Sequence, residues 1–338
     1  MLLVTALACV HGGAAPGGGP GPTPEEVSLR TECDAGQAEA CGALAVQLEG
    51  GQYGPGRSAE ALAVARLGAG QNGQVARVAM LLADAHPGLV SVADRIALKE
   101  RVCQTDIPMM CAEAAELARP TDPGRASELL REGCRLGEVN QCRMADGSWV
   151  AGAKPGPEFA NQLDRLHVSL TVPPGFTEVP VAESRDFQTA FAVRSDDGRM
   201  EVRYGVRDMR PLLDSMAACA TQPGCVSVPF EAAERSEAVV TLANVGTLPP
   251  GELQTSNFPP LPVRIEFNAD WGVTGSTSSR KSWAAPGSLT LLAFLHRDPA
   301  TDLYVFFIFN DRAAIDDLFP TVIHSMRFAD PVGVEGLR

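Results

Sequence analysis

Cysteines carry most of the chemical capacity of this chain of 338 residues, and their spacing is regular. Cys33 and Cys41, Cys103 and Cys111, and Cys134 and Cys142 are each separated by seven residues, Cys219 and Cys225 by five, and Cys9 stands alone. Eight paired cysteines and one apart fit an oxidising compartment. The competing chemistry is metal ligation. Zinc sites favour two to four residues between cysteines, with histidine partners. Histidine is scarce here: His11, His86, His167, His296 and His324. No metal and no cofactor is therefore expected.

Nucleophilic chemistry has one candidate. Ser278-Ser-Arg-Lys281 matches the S-x-x-K of serine acyl enzymes. That chemistry needs the serine at a helix start and the lysine one turn on, so that the amine eases deprotonation of the hydroxyl. Residues 275–281 read instead as a polar loop, with no S-D-N or K-T-G partner following. HExxH, GxSxG, P-loop and CxxC patterns are absent. The paired acids Glu25-Glu26, Asp196-Asp197 and Asp316-Asp317 read as caps or solvated charge. Trp271 and Trp283 flank the polar loop and read as core or rim packing, and the aromatic run 304–309 as sheet core. No catalytic set emerges.

Geometry decides what the seven-residue spacing means. Along one helix such cysteines sit roughly 12 Å apart, whereas a disulfide needs its Cα atoms within about 7 Å. The chain must turn back between them. Gly36 and Gly137 supply a positive-φ position for the turn, and Asp106 tolerates one. Aligned on these cysteines, units start at 33, 67, 103 and 134, a period of 31 to 36 residues that suits stacked helical hairpins. The second unit has no cysteine, and Leu67, Gly70, Val75 and Val78 stand at the aligned positions. Pro24 behind Thr23, and Pro123 behind Asp122, read as helix starts.

The C-x2-G-x4-C-x2-[LA] pattern at 33–44 and 134–145, and more loosely at 103–114, resembles the Sel1-like repeat, a cysteine-rich relative of the tetratricopeptide repeat. The resemblance covers residues 24–148. It implies an adaptor or interaction module, and some relatives of this kind are linked to β-lactam binding. Unit two lacks cysteines and Asp106 replaces the turn glycine in unit three, which leaves those two units less well matched.

Residues 1–8 are apolar and end on Ala8 before Cys9, which resembles the cleavage point of a bacterial lipoprotein signal. It departs from the pattern at Ala6, where leucine is usual, and in lacking a basic n-region. A plain signal remnant is the alternative reading. The Gly/Pro-rich stretch up to residue 23 reads as a flexible tether behind a lipidated Cys9.

Beyond a Gly/Pro linker at 149–159, the pattern turns from helical to alternating. Strands are expected at 167–172, at 188–194 with 200–207, and at 289–296 with 303–310; helices at 210–220, 230–244 and 313–328; residues 262–271 are ambiguous. Cys219 and Cys225 are expected to staple the 210–220 helix to the following loop. Hairpins and helices without βαβ alternation make this an α+β domain over 160–331, with a tail at 332–338. Val172-Pro-Pro-Gly-Phe176 and the order of elements up to Phe328 resemble the PsbP/Mog1-like sandwich, a fold that implies little about function.

The fold class expected is thus multidomain: an all-α helical-hairpin solenoid followed by an α+β sandwich with a mainly antiparallel sheet. A net charge of −13 disfavours nucleic acid and anionic lipid as main partners. The expected function is a non-catalytic scaffold or interaction module of the bacterial envelope. Its partner would be an envelope protein or peptide, and a lipid anchor its only membrane contact. The alternative is a serine acyl enzyme acting on β-lactam or cell-wall material through Ser278 and Lys281, and a third reading is a purely structural component.

Overall fold

The computed structural model describes residues 21–105, 107–181, 187, 189–220, 230–285 and 287–330. Cys9, the tether up to residue 20, Asp106 and Cys225 lie outside the described residues.

The N-terminal half is built from helix pairs: α1 (Pro24–Asp34) with α2 (Ala38–Glu49), α3 (Ser58–Ala69) with α4 (Gly73–Ala85), α5 (Val92–Thr105) with α6 (Met110–Ala118), and α7 (Pro123–Arg135) with α8 (Val139–Ala145). Thr23 caps α1 by accepting the Glu26 N–H at 3.2 Å, and Asp122 caps α7 by accepting that of Arg125 at 2.8 Å. Gly36 and Gly137 take φ of +88° and +105°, as the expected turns require. The three disulfides form across these bends, with Cα atoms 4.7, 5.3 and 4.6 Å apart.

The second pair closes without sulfur and not as the alignment suggests. Leu67 is 63% exposed and so does not stand in for a buried cysteine. The contact is made one residue on, where a Cβ on Gly68 would meet Val75 Cγ1 and the Ala38 carbonyl, each at 3.0 Å. Gly70 has an ordinary right-handed conformation.

In the C-terminal half, α9 (Pro157–Arg165) begins inside the expected linker. Gly152 N–H also bonds the Val172 carbonyl at 2.8 Å, so this stretch is pinned to the domain it precedes. Then follow β1 (Val168–Leu170), β2 (Phe176–Glu178), β3 (Phe191–Ser195), β4 (Met200–Asp208), α10 (Arg210–Ala220) and α11 (Phe230–Val245). They are succeeded by β5 (Gln254–Asn257), α12 (Pro260–Phe267), β6 (Trp271–Ser278), β7 (Leu289–Arg297), β8 (Thr301–Phe309), α13 (Ala314–Asp317), α14 (Phe319–Val322) and β9 (Met326–Phe328). Seven strands form one antiparallel, unclosed sheet in the order β2-β3-β4-β8-β7-β6-β5, and β1 pairs with β9.

Strand periodicity sorts the sheet's side chains into two cores. Leu303, Val305, Phe307 and Phe309 of β8 join a cluster with Phe159 of α9 and Phe267 of α12. Tyr304, Phe306 and Ile308 face the other way, against Ala238, Leu242 and Val245 of α11.

Two expectations fail here. The stretch 313–328 is not one helix but two short ones and a strand. Pro320 offers no N–H to continue the first, and β1 supplies a pairing edge for Met326–Phe328. The stretch 275–281 is not a loop throughout, because residues up to Ser278 pair with β7 along β6. The ambiguous segment resolves as α12, closed by Asn268 in the left-handed region, before β6 begins.

The halves share α12. Its Ile265 belongs to the repeat core, while Val263 and Phe267 belong to the sheet core. Polar contacts support the junction: Arg327 meets Glu113 at 2.6 Å, and Asn140 donates to the Thr321 carbonyl at 2.8 Å. No helix among the described residues is long and apolar enough to cross a membrane.

Candidate functional site

Two features could carry function: a groove on the helical array and a buried polar cluster in the sheet.

The groove has a volume of about 1250 Å³. Its sides are α2 (Glu39, Gly42, Ala43, Val46, Gln47) and α4 with its cap (Asn72, Gln74, Val75, Arg77, Val78), and residues 259–262, three of them proline, wall one flank. Small residues open the space. Gly42 lets α2 lie against α4, since a Cβ there would meet Val75 Cγ2 at 3.0 Å. The lining mixes valine and proline surface with the carboxamides of Gln47, Gln52, Asn72 and Gln74, groups that both donate and accept. Glu39 holds the Asn72 amide at 2.7 Å. Arg77 is buried, and burial lowers its pKa from the ordinary guanidinium value against the opposing charge of Glu266.

The sequence candidates fall elsewhere. Ser278 ends β6, and Lys281 lies in the turn after it, both exposed. The helix start that S-x-x-K chemistry requires is not formed there. Trp283 is buried beneath the Arg203 guanidinium, 4.3 Å from its ring centroid, and Trp271 packs in the same core. Glu26 is tied to Arg30 and Arg57, each at 2.8 Å. Asp197 binds Arg199 within its own turn, and Asp317 reaches the same arginine at 2.8 Å. Cys219 is disulfide-bonded, while its expected partner Cys225 is not among the described residues.

Sequence reasoning missed the second feature. His296 of β7 stands opposite Asp302 of β8 in the sheet register, and Glu234 of α11 covers both. All three are buried: their side chains are 1%, 0% and 1% exposed. His296 Nδ1 lies 2.7 Å from Asp302 Oδ1 and 3.0 Å from Glu234 Oε1, and Nε2 lies 3.1 Å from Asp298 Oδ1. Trp271 stacks on the imidazole at 5.2 Å. Burial works to lower the imidazole pKa, but the facing carboxylates of Asp302 and Glu234 overcome it and raise it well above the usual value. Burial pushes the Asp302 carboxyl up; His296 opposes this and the Glu234 charge adds to it. A buried histidine placed opposite an aspartate across the turn at 298–301 is the signal that could have revealed half of the cluster. Glu234 comes from a distant helix that no local pattern links to them.

By its fold, the chain is a disulfide-stapled helical-hairpin array joined to an antiparallel α+β sandwich. Set against known protein families, curated proteins and solved structures, it matches none.

Proposed function

We propose that the protein is a non-catalytic scaffold of the bacterial envelope that holds an extended peptide segment of another envelope protein. The groove between α2 and α4 carries this reading. An extended chain presents unpaired N–H and C=O groups and needs partners for them. The carboxamides of Gln52 and Gln74 along the groove provide such partners, and valine side chains and proline rings provide apolar contact. The net charge of −13 favours a segment that is neutral or basic overall.

Three disulfides joining near neighbours support an oxidising compartment. On this reading the array is Sel1-like, the C-terminal half is PsbP/Mog1-like, and Cys9 bears a lipid that anchors the body by its tether. The mass of the mature N-terminus, taken with a non-reducing disulfide map, tests the anchor and the compartment.

The groove is tested by photo-crosslinking in the native envelope. A crosslinker placed at exposed Ala43 in the groove is expected to capture a discrete partner. The same group at Leu67, exposed and outside the groove, is expected not to capture it. Equal capture at both positions, or none at Ala43, would count decisively against the groove as the binding surface.

A further inference from the structure

We propose that Glu234, His296 and Asp302 form a binding site for a single divalent first-row transition ion, which clamps α11 onto the β7–β8 hairpin. Three observations converge on this. The donor atoms of the three side chains come from three different elements and lie within 4.8 Å of one another. An ion bonded at about 2.1 Å holds its donors roughly 3.4 Å apart, so the set closes with shifts of about 1 Å.

The second observation is unused coordinating capacity. Among the described residues, neither oxygen of Glu234 and not the Oδ2 of Asp302 has a hydrogen-bond partner, although all are buried. A buried carboxylate lacking donors is costly, and two such groups side by side repel. His296 Nδ1 meets Asp302 Oδ1 at 2.7 Å, and Glu234 Oε1 lies 3.0 Å from the same nitrogen, so both carboxylates converge on one ring atom. A doubly charged ion in that space satisfies both carboxylates at once.

The third is the far side of the ring. Nε2 faces Asp298 Oδ1 at 3.1 Å. Donation of the Nε2 proton to that carboxylate leaves the Nδ1 lone pair directed at Glu234 and Asp302. This carboxylate–histidine–metal arrangement orients a ligating imidazole and raises its basicity. Asp298 is 77% exposed, so the cluster lies near the surface and an ion can enter beside it.

The donor set selects the ion class. One imidazole and two carboxylates suit zinc or manganese. The absence of thiolate from the set disfavours copper(I), and the imidazole disfavours calcium and magnesium. Trp271, stacked on the imidazole and itself covered by Arg235 at 4.4 Å, shields the ring from solvent.

The test uses the full chain, stripped with a chelator and dialysed against Zn2+ alone or Mn2+ alone. Bound metal is counted by elemental analysis, and stability is followed by thermal melting. One ion per chain is expected with at least one metal, together with a Tm rise of about 5 °C at a hundredfold excess over Kd. Both are expected to vanish in Glu234→Gln and in Asp302→Asn. Asp298→Asn changes no ligand, keeps the fold and is expected to weaken affinity about tenfold. His86→Gln and His324→Gln, which remove histidines paired with single glutamates elsewhere, are expected to leave the stoichiometry at one. Failure of both metals to bind would overturn the proposal. So would an ion retained in a folded Glu234→Gln chain, or an affinity unchanged in Asp298→Asn.

Discussion

Glu113 sits where the two halves meet, between Lys99 at 2.8 Å and Arg327 at 2.6 Å. Burial alone would push its carboxyl up, but the two cations override that and hold it down at about 2. A depressed folded-state pKa means stability that is complete above the ordinary carboxylate range. It is lost as pH falls from 4.5 towards 2. Urea melts between pH 7 and pH 2 should therefore show about 2 kcal/mol of loss in that window, and Glu113→Gln should flatten it. Lys99→Met should cost about 3 kcal/mol at pH 7, because it removes the buried cation that stands between the carboxylates of Asp84 and Glu113 and leaves each with a single arginine; a neutral effect in chemical denaturation would contradict this. None of these partners was legible as a set. Asp84, Lys99, Glu113 and Arg327 look like surface charge in the sequence, and only helix packing brings them together. The place of Glu234 in the buried histidine cluster was hidden for the same reason.

At the scale of elements, the hairpins were legible because their constraints are local. A cysteine, a turn glycine and a second cysteine within nine positions leave the chain little choice. Each bridge joins cysteines eight positions apart and should contribute about 2.5 kcal/mol through the unfolded state. Replacing Cys33 and Cys41 together by serine should lower stability by about that amount in a urea melt, with α1 the first segment to gain amide exchange. The misreadings were also local in origin. The apolar stripe at 313–328 has helical spacing, yet Pro320 and the open edge of β1 decide otherwise. Residues 275–278 are small and polar, but they form a strand because β7 offers them an edge. Leu67 shows that an alignment on cysteines can slip by a residue where no sulfur fixes the register.

At the scale of the whole molecule, the sequence separated two pattern regimes correctly and could not show that one helix serves both. The ambiguity of 262–271 reflects that double duty, since α12 must be apolar on two sides. Ile265 lies in the repeat core while its neighbours in the helix pack on the sheet. Thermal unfolding of the intact chain should therefore be close to one transition. Ile265→Ala should cost about 3 kcal/mol and split the calorimetric trace into two. A trace that stays single, with the Tm unchanged, would show that the halves hold together without this contact.

The pairing order of the sulfurs bears on how the chain matures. Among the described bridges, each cysteine joins the next one in the sequence. A chain emerging N-terminus first exposes the correct partner of each of these bridges before any cysteine further along becomes available, and a lipid on Cys9 would remove the one thiol that emerges ahead of them. Oxidation in order of emergence then yields the native set directly, and a thiol oxidase can finish the array without a reshuffling enzyme.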